Sequence, residues 1–208
     1  MEKMDLSKLH KEYFSAKPNP TIIEIGPASF LSLAGKGDPS DEKFTQAIQT
    51  LYATAYTIKF MCKSLKQDFI VSKLEGLWWF DEKELGNLSI TEAPLRVPRS
   101  KWEYRLLIRM PEFVTNEMTE DAIDTVILKK GIQEAGKVQL FSMTEGTCVQ
   151  ILHTGPFSEE PKTLQKVSEF ITEKGLSKNG LHHEIYLSDF RKTSPEKLRT
   201  ILREPVHT

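Results

Sequence analysis

Cysteine is scarce: only Cys62 and Cys148 occur in the 208 residues, and neither belongs to a C-x-x-C pair or to a Cys/His ligand spacing. This pattern fits a reducing compartment, argues against structural zinc, and leaves both thiols to act as buried small hydrophobes. Charge of one sign is lacking too: 28 Lys and Arg against 29 Asp and Glu give a net charge of −1. No field or charged tail draws nucleic acid or an anionic membrane surface, so neither is an expected partner. No apolar run is long enough to span a bilayer; the longest uncharged stretch, residues 44–58, is interrupted by Thr45, Gln46, Gln49 and Thr50. The N-terminal MEKMDLSKLHKEYF has neither the apolar run nor the cleavage site of a signal peptide, and a cytoplasmic protein is expected.

Catalytic signatures are equally thin. G-x-S-x-G is missing, and GKGDPS (35–40) has two glycines at the wrong spacing for a phosphate loop and reads as a turn. His182 and His183 are adjacent, but His10, His153 and His207 are scattered and supply no second ligand pair, so neither a metal nor a cofactor is expected.

What is there organises into two similar halves. TIIEIGPASFLSLAG (21–35) reads as extended, and in residues 40–66 Phe44, Ile48, Leu51, Ala55, Ile58, Cys62 and Leu65 form one helical stripe with Ser40 as its cap. EGLWWFDE (75–82) and KWEYRLLIRMP (101–111) read as strands separated by a Gly- and Pro-marked loop. The second half repeats the plan, with an extended GTCVQILHTGPF (146–157), a helix over 158–175 ending at Gly175, the strand LHHEIYLSD (181–189), and a turn with a short last strand in 194–206. A connecting helix over 119–136, capped by Thr119, joins the halves.

LHHEIYLSD carries the functional question. Alternation places Ile185 and Leu187 on one strand face and His182, Glu184 and Tyr186 on the other, so a carboxylate sits in mid-strand between a histidine and a phenol. Setting EGLWWFDE against HHEIYLSD pairs Glu75 with His182, Leu77 with Glu184 and Trp79 with Tyr186, which turns Trp79 toward a shared cleft. Trp102 and Tyr104 share a face and read equally well as core. The plain alternative for Glu184 is the solvent side of an edge strand, paired with His182 or Arg191.

EGLWWF, KWEYRLLIRMPEFVT, HTGPF and above all HHEIYLSDFRKTSPEKLRTILREPV resemble the GyrI-like family of small-molecule-binding proteins, from about residue 21 onward. The resemblance implies an α+β fold of duplicated strand-helix-strand-strand halves (about 21–111 and 146–206) behind an N-terminal extension (1–20). It also implies antiparallel pairing, helices on one side, and a ligand cleft between the halves in which the acid matching Glu184 meets cationic or polar aromatic ligands. Some members open the strained cyclopropane of DNA-alkylating natural products inside an aromatic cage. By that likeness Trp79, Trp102, Tyr104 and Tyr186 hold a flat ligand beside His182, Glu184 directs water, and Tyr104 or Tyr186 polarises the conjugated carbonyl. The alternative is a protein that only binds, as a drug-sequestering module or a gyrase-interacting protein. A transcription factor of this family carries a helix-turn-helix domain, for which about twenty residues before Thr21 are too few.

Overall fold

In the computed structural model, which describes residues 3–208, the chain runs α1 (Leu6–Leu9), β1 (Thr21–Ile25), β2 (Ala28–Lys36), α2 (Glu42–Ser64), β3 (Leu74–Trp79), α3 (Glu82–Leu85) and α4 (Ala93–Arg96). It continues through β4 (Glu103–Arg109), α5 (Asn116–Lys130), β5 (Gln139–Met143), β6 (Gly146–Thr154), α6 (Glu160–Glu173), β7 (Ser177–Lys178), β8 (His182–Tyr186) and β9 (Arg199–His207). The strands pair antiparallel in the order β1-β6-β9-β8-β3-β4-β2-β5, with β7 on β9. The repeats β2-α2-β3-β4 and β6-α6-β8-β9 therefore meet at the β3/β8 pair in the middle of the sheet.

Local chemistry sets the helix ends. α2 buries Phe44, Ile48, Leu51, Ala55, Ile58 and Cys62, the stripe expected from their spacing, but it begins after Asp41 rather than Ser40. α5 starts earlier than the spacing predicts, because the Thr115 hydroxyl accepts from the Met118 amide while Thr119 turns back to the Thr115 carbonyl inside the helix. It ends at Gly131, whose φ of 69° is the left-handed conformation that closes a helix.

Three elements differ from expectation. The segment 21–35 is two strands, broken at Gly26 and Pro27. The last strand is not short: β9 has 9 residues and lies between β6 and β8. The segment 139–143, unassigned by periodicity, is β5.

Connectivity forces curvature. β1 and β2 occupy opposite parts of the strand order yet are joined by two residues, and Thr144 and Glu145 alone join β5 to β6. A link that short spans about 10 Å, so the sheet curls until its ends approach. Inside the curl, Phe30, Leu77, Leu107, Cys148, Ile185 and Ile201 pack with Tyr13 and Phe14 from the N-terminal segment. Outside it, α2 covers a cluster containing Leu33, Leu51, Leu106 and Ile108, while α6 covers a separate one containing Val149, Ile151 and Leu202. No helix of the described residues is long and apolar enough to cross a membrane.

Candidate functional site

Between the α2 and α6 clusters, the outer face of β3 and β8 carries polar groups. Glu184 pairs with Gly76 and His182 with Trp78, so these four residues and Tyr186 project from one face. Glycine is needed at position 76. A Cβ there would lie 2.8 Å from the Trp78 indole nitrogen and 3.1 Å from the Tyr186 hydroxyl. In that space Trp78 Nε1–H donates to the Tyr186 hydroxyl at 3.1 Å, and the Glu184 carboxylate lies near enough for its charge to raise that phenol. Indole, phenol and acid are thus neighbours on one face, with the Glu184 side chain still 13% exposed.

The structure separates the two tryptophans in a way the sequence alignment reverses. Antiparallel pairing puts Gly76 and Trp78 on the face of Glu184 and Tyr186, whereas aligning the two halves places Leu77 and Trp79 there, and moving by one residue exchanges the faces of a strand. Trp78, 9% exposed, lies beside Tyr186, whereas Trp79 turns to the opposite face and donates from its indole nitrogen to Glu103 at 2.9 Å. Trp102 meets Trp78 edge-on at 6.4 Å between centroids. Tyr104 is packed between Phe44 and Trp78, with its ring lying over Gly35, and stands on the strand two places from β8. Glu184 is not on an edge strand, and Arg191 pairs with Asp189 instead.

Sequence reasoning missed Phe157, Phe190, Glu160 and Glu204. Phe157, Tyr186 and Phe190 form a triangle of edge-on rings with centroids 5.5–6.0 Å apart. From the α2 side an open groove of about 580 Å³ between Tyr52, Tyr56, Leu74 and Phe190 ends on Tyr186. HTGPF hints at Phe157, but Glu160 and Glu204 reach the site only through non-local pairing.

Electrostatics sorts the acids. Burial and the Glu184 charge push the Glu160 carboxyl well above its usual range, and one of its oxygens is buried without a partner among the described residues. Burial alone would lower the His182 imidazole. The Glu204 carboxylate on Nδ1 and Glu184 on Nε2, at 3.3 Å, overcome this and raise it to about 10. An imidazolium thus lies between Glu204 and Glu184. Burial and Glu184 push the Tyr186 phenol far up, so it stays a donor.

The imidazolium predicts a pH dependence. Its folded value exceeds the ordinary 6.5, so it contributes stability fully below pH 6.5 and loses it as pH rises toward 10. Denaturant unfolding of the wild type should show stability falling over that window, and His182→Asn should flatten the decline. An equally steep decline in the variant would contradict the assignment.

A second polar network fills the inside of the curl. Glu75 accepts from the Tyr13 hydroxyl and bonds His183 Nε2 at 3.0 Å; His183 Nδ1 bonds Glu145 at 2.9 Å, and Arg203 donates to Glu145 at 3.0 Å. Arg203 also donates to the Tyr13 carbonyl at 2.8 Å and to Gln150. His183, Glu75 and Arg203 are fully buried, so this network fastens the N-terminal segment to the sheet and offers no open surface at its centre.

Among the described residues no group of His, Cys, Asp and Glu is arranged to hold a metal ion. Known proteins resemble this chain in sequence and in fold. The sequence model of the GyrI-like small molecule binding domain matches residues 110–207. A structure of a conserved protein from Listeria innocua is 39% identical, covering 99% of this chain and 100% of its own, with a TM-score of 0.87. A second structure from Listeria innocua, described as a hydrolase, is 40% identical over 99% of this chain and 100% of its own, with a TM-score of 0.84. The C-terminal domain of EcmrR shares the fold at 11% identity and a TM-score of 0.57, over 91% of this chain and 98% of its own. Among curated proteins none matches the sequence.

Proposed function

Because the chain belongs to the GyrI-like family of small-molecule-binding proteins, we propose that its ligand is a flat, largely apolar aromatic compound held over β3 and β8, and that Glu184 directs its hydrolysis. The observation that carries this reading is the grouping of Glu184 with the Trp78–Tyr186 pair on one strand face, which sets an acid at an aromatic surface. Trp78 and Tyr186 supply the surface, with Phe157 and Phe190 at its rim. The hydrolase description of a 40% identical structure favours turnover over binding alone.

The step is the addition of water to a strained, cyclopropane-bearing electrophile. Glu184 takes a proton from water as its oxygen bonds the cyclopropyl carbon. The ring C–C bond breaks, its electron pair passes into the conjugated carbonyl, and a hydrogen-bond donor stabilises the resulting enolate. Tyr186 suits that role better than Tyr104, because its hydroxyl lies beside Glu184 and remains protonated. The proton Glu184 takes then passes to the enolate, so one whole water is added, and Glu160, its carboxyl pushed up by burial and by Glu184, adjoins Glu184 on the same side of the sheet. A binding-only protein would use the same surface, with Glu184 as anchor for a cation.

The placement is tested by tryptophan fluorescence. A planar polycyclic compound should quench the wild type, Trp78→Phe should lose most of that quenching, and Trp79→Phe should keep it. The reverse order would overturn the placement.

A further inference from the structure

Arg109 poses a problem the cleft does not solve. It projects from the inner face of β4, where its neighbours on that face are Leu107 and, across the pair, Phe30. Its guanidinium carbon lies 4.4 Å from the centroid of the Tyr13 ring, and Arg203 lies at the same distance from that ring. Arg203 is saturated: its donors reach Gln150, Glu145 and the Tyr13 carbonyl. Arg109 is 9% exposed as a residue, but none of its guanidinium nitrogens is a buried atom without a partner; they stay open to solvent, and among the described residues its five N–H donors meet no hydrogen-bond acceptor and no ion-pair partner. A guanidinium held on a ring with its donors unpaired and open to a groove is ready to receive an anionic ligand.

The side chain lines an open groove of about 610 Å³ between residues 8–13, the turn from Ile23 to Pro27, and the end of β4. We propose that this groove is a second binding site, for a small organic monoanion consisting of a carboxylate on an apolar body, whose carboxylate meets Arg109. Charge sets the valence. Lys8, Lys11 and Arg109 line the groove together with Glu12 and Glu24, leaving one net positive charge, and Glu24 already accepts from the Thr147 hydroxyl at 2.9 Å. His10 adds no charge at neutral pH, because partial burial and the Arg109 charge lower its imidazole, against a smaller upward pull from Glu112. The walls set the body: Ile23, Ile25 and Pro27 are apolar. Guanidinium offers a carboxylate two parallel donors, and the Tyr13 ring holds its plane. The site is independent of the hydrolytic reading, because Glu184 projects from the outer face of the sheet and would repel the same ligand.

Cyclohexanecarboxylate is the probe, since its puckered ring does not suit a flat aromatic cleft. Calorimetry should find one saturable site per chain, and the His10 ring signals in NMR should titrate at higher pH once the probe neutralises Arg109. Arg109→Gln should weaken binding at least tenfold. Lys8→Glu with Lys11→Glu, both on exposed side chains that leave the fold intact, should weaken it several-fold. Absence of saturable binding, an unchanged affinity in the lysine variant, or equal binding of cyclohexanol or of inorganic phosphate would overturn the proposal.

Discussion

Glu184→Gln is expected to lower turnover of a cyclopropane-bearing aromatic substrate by about 10²–10⁴-fold while leaving its affinity within about twofold of wild type. Gln keeps the size of the side chain, so the Trp78–Tyr186 contact over Gly76 survives. What it loses is the capacity to take the proton from water. The His182 imidazolium retains Glu204 and is not left uncompensated. If Glu184 instead anchors a cation, the same substitution weakens cationic ligands and spares neutral ones, with no turnover to lose. Steady-state product formation and equilibrium binding on one pair of proteins separate these outcomes, and unchanged turnover would sink the general-base role.

The largest stability effect is expected at Glu145. Glu145→Ala should cost about 3–5 kcal/mol, because it strips the carboxylate from between His183 and Arg203 and leaves their charge buried. Burial by itself would raise the Glu145 carboxyl, but the adjoining His183 and Arg203 charges and hydrogen bonds bring it down to about 2. A lowered folded value stabilises above the ordinary 4.5 and is lost as pH falls toward 2, so Glu145 holds the fold against acid across that range. Denaturant unfolding of Glu145→Ala at pH 7 and pH 3 should show a large loss at the first and a smaller one at the second. A change under about 1 kcal/mol at pH 7 would contradict the role given to the inner network.

Much of this architecture is written locally in the chain. The stripe from Phe44 to Cys62 specifies a helix by its own spacing, and the strand HHEIY declares its two faces by alternation, which is why Glu184, Tyr186 and His182 were identifiable as a set. Register was the weak link. Trp78 and Trp79 are adjacent aromatics, and nothing in EGLWWFDE alone says which faces the cleft, since one residue of slip exchanges them. Gly76 held the clue: a glycine inside a strand marks the close approach of something large, and here two rings meet above it. Tyr13 was assigned to an extension because nothing within residues 1–20 reveals that its hydroxyl reaches Glu75 and its ring meets two arginines. Glu160 and Glu204 lay beyond sequence reasoning for the same reason: each is defined by a neighbour more than twenty residues away in the chain.

The central claim, that the acid on β8 turns over a strained aromatic electrophile, is tested most directly by counting product. A large excess of a cyclopropane-bearing aromatic compound is incubated with a little wild-type protein in isotopically labelled water. The account predicts many ring-opened molecules per chain, each carrying one labelled oxygen on the former cyclopropyl carbon. One product molecule per chain or fewer, or ring-opened product without the label, would contradict it.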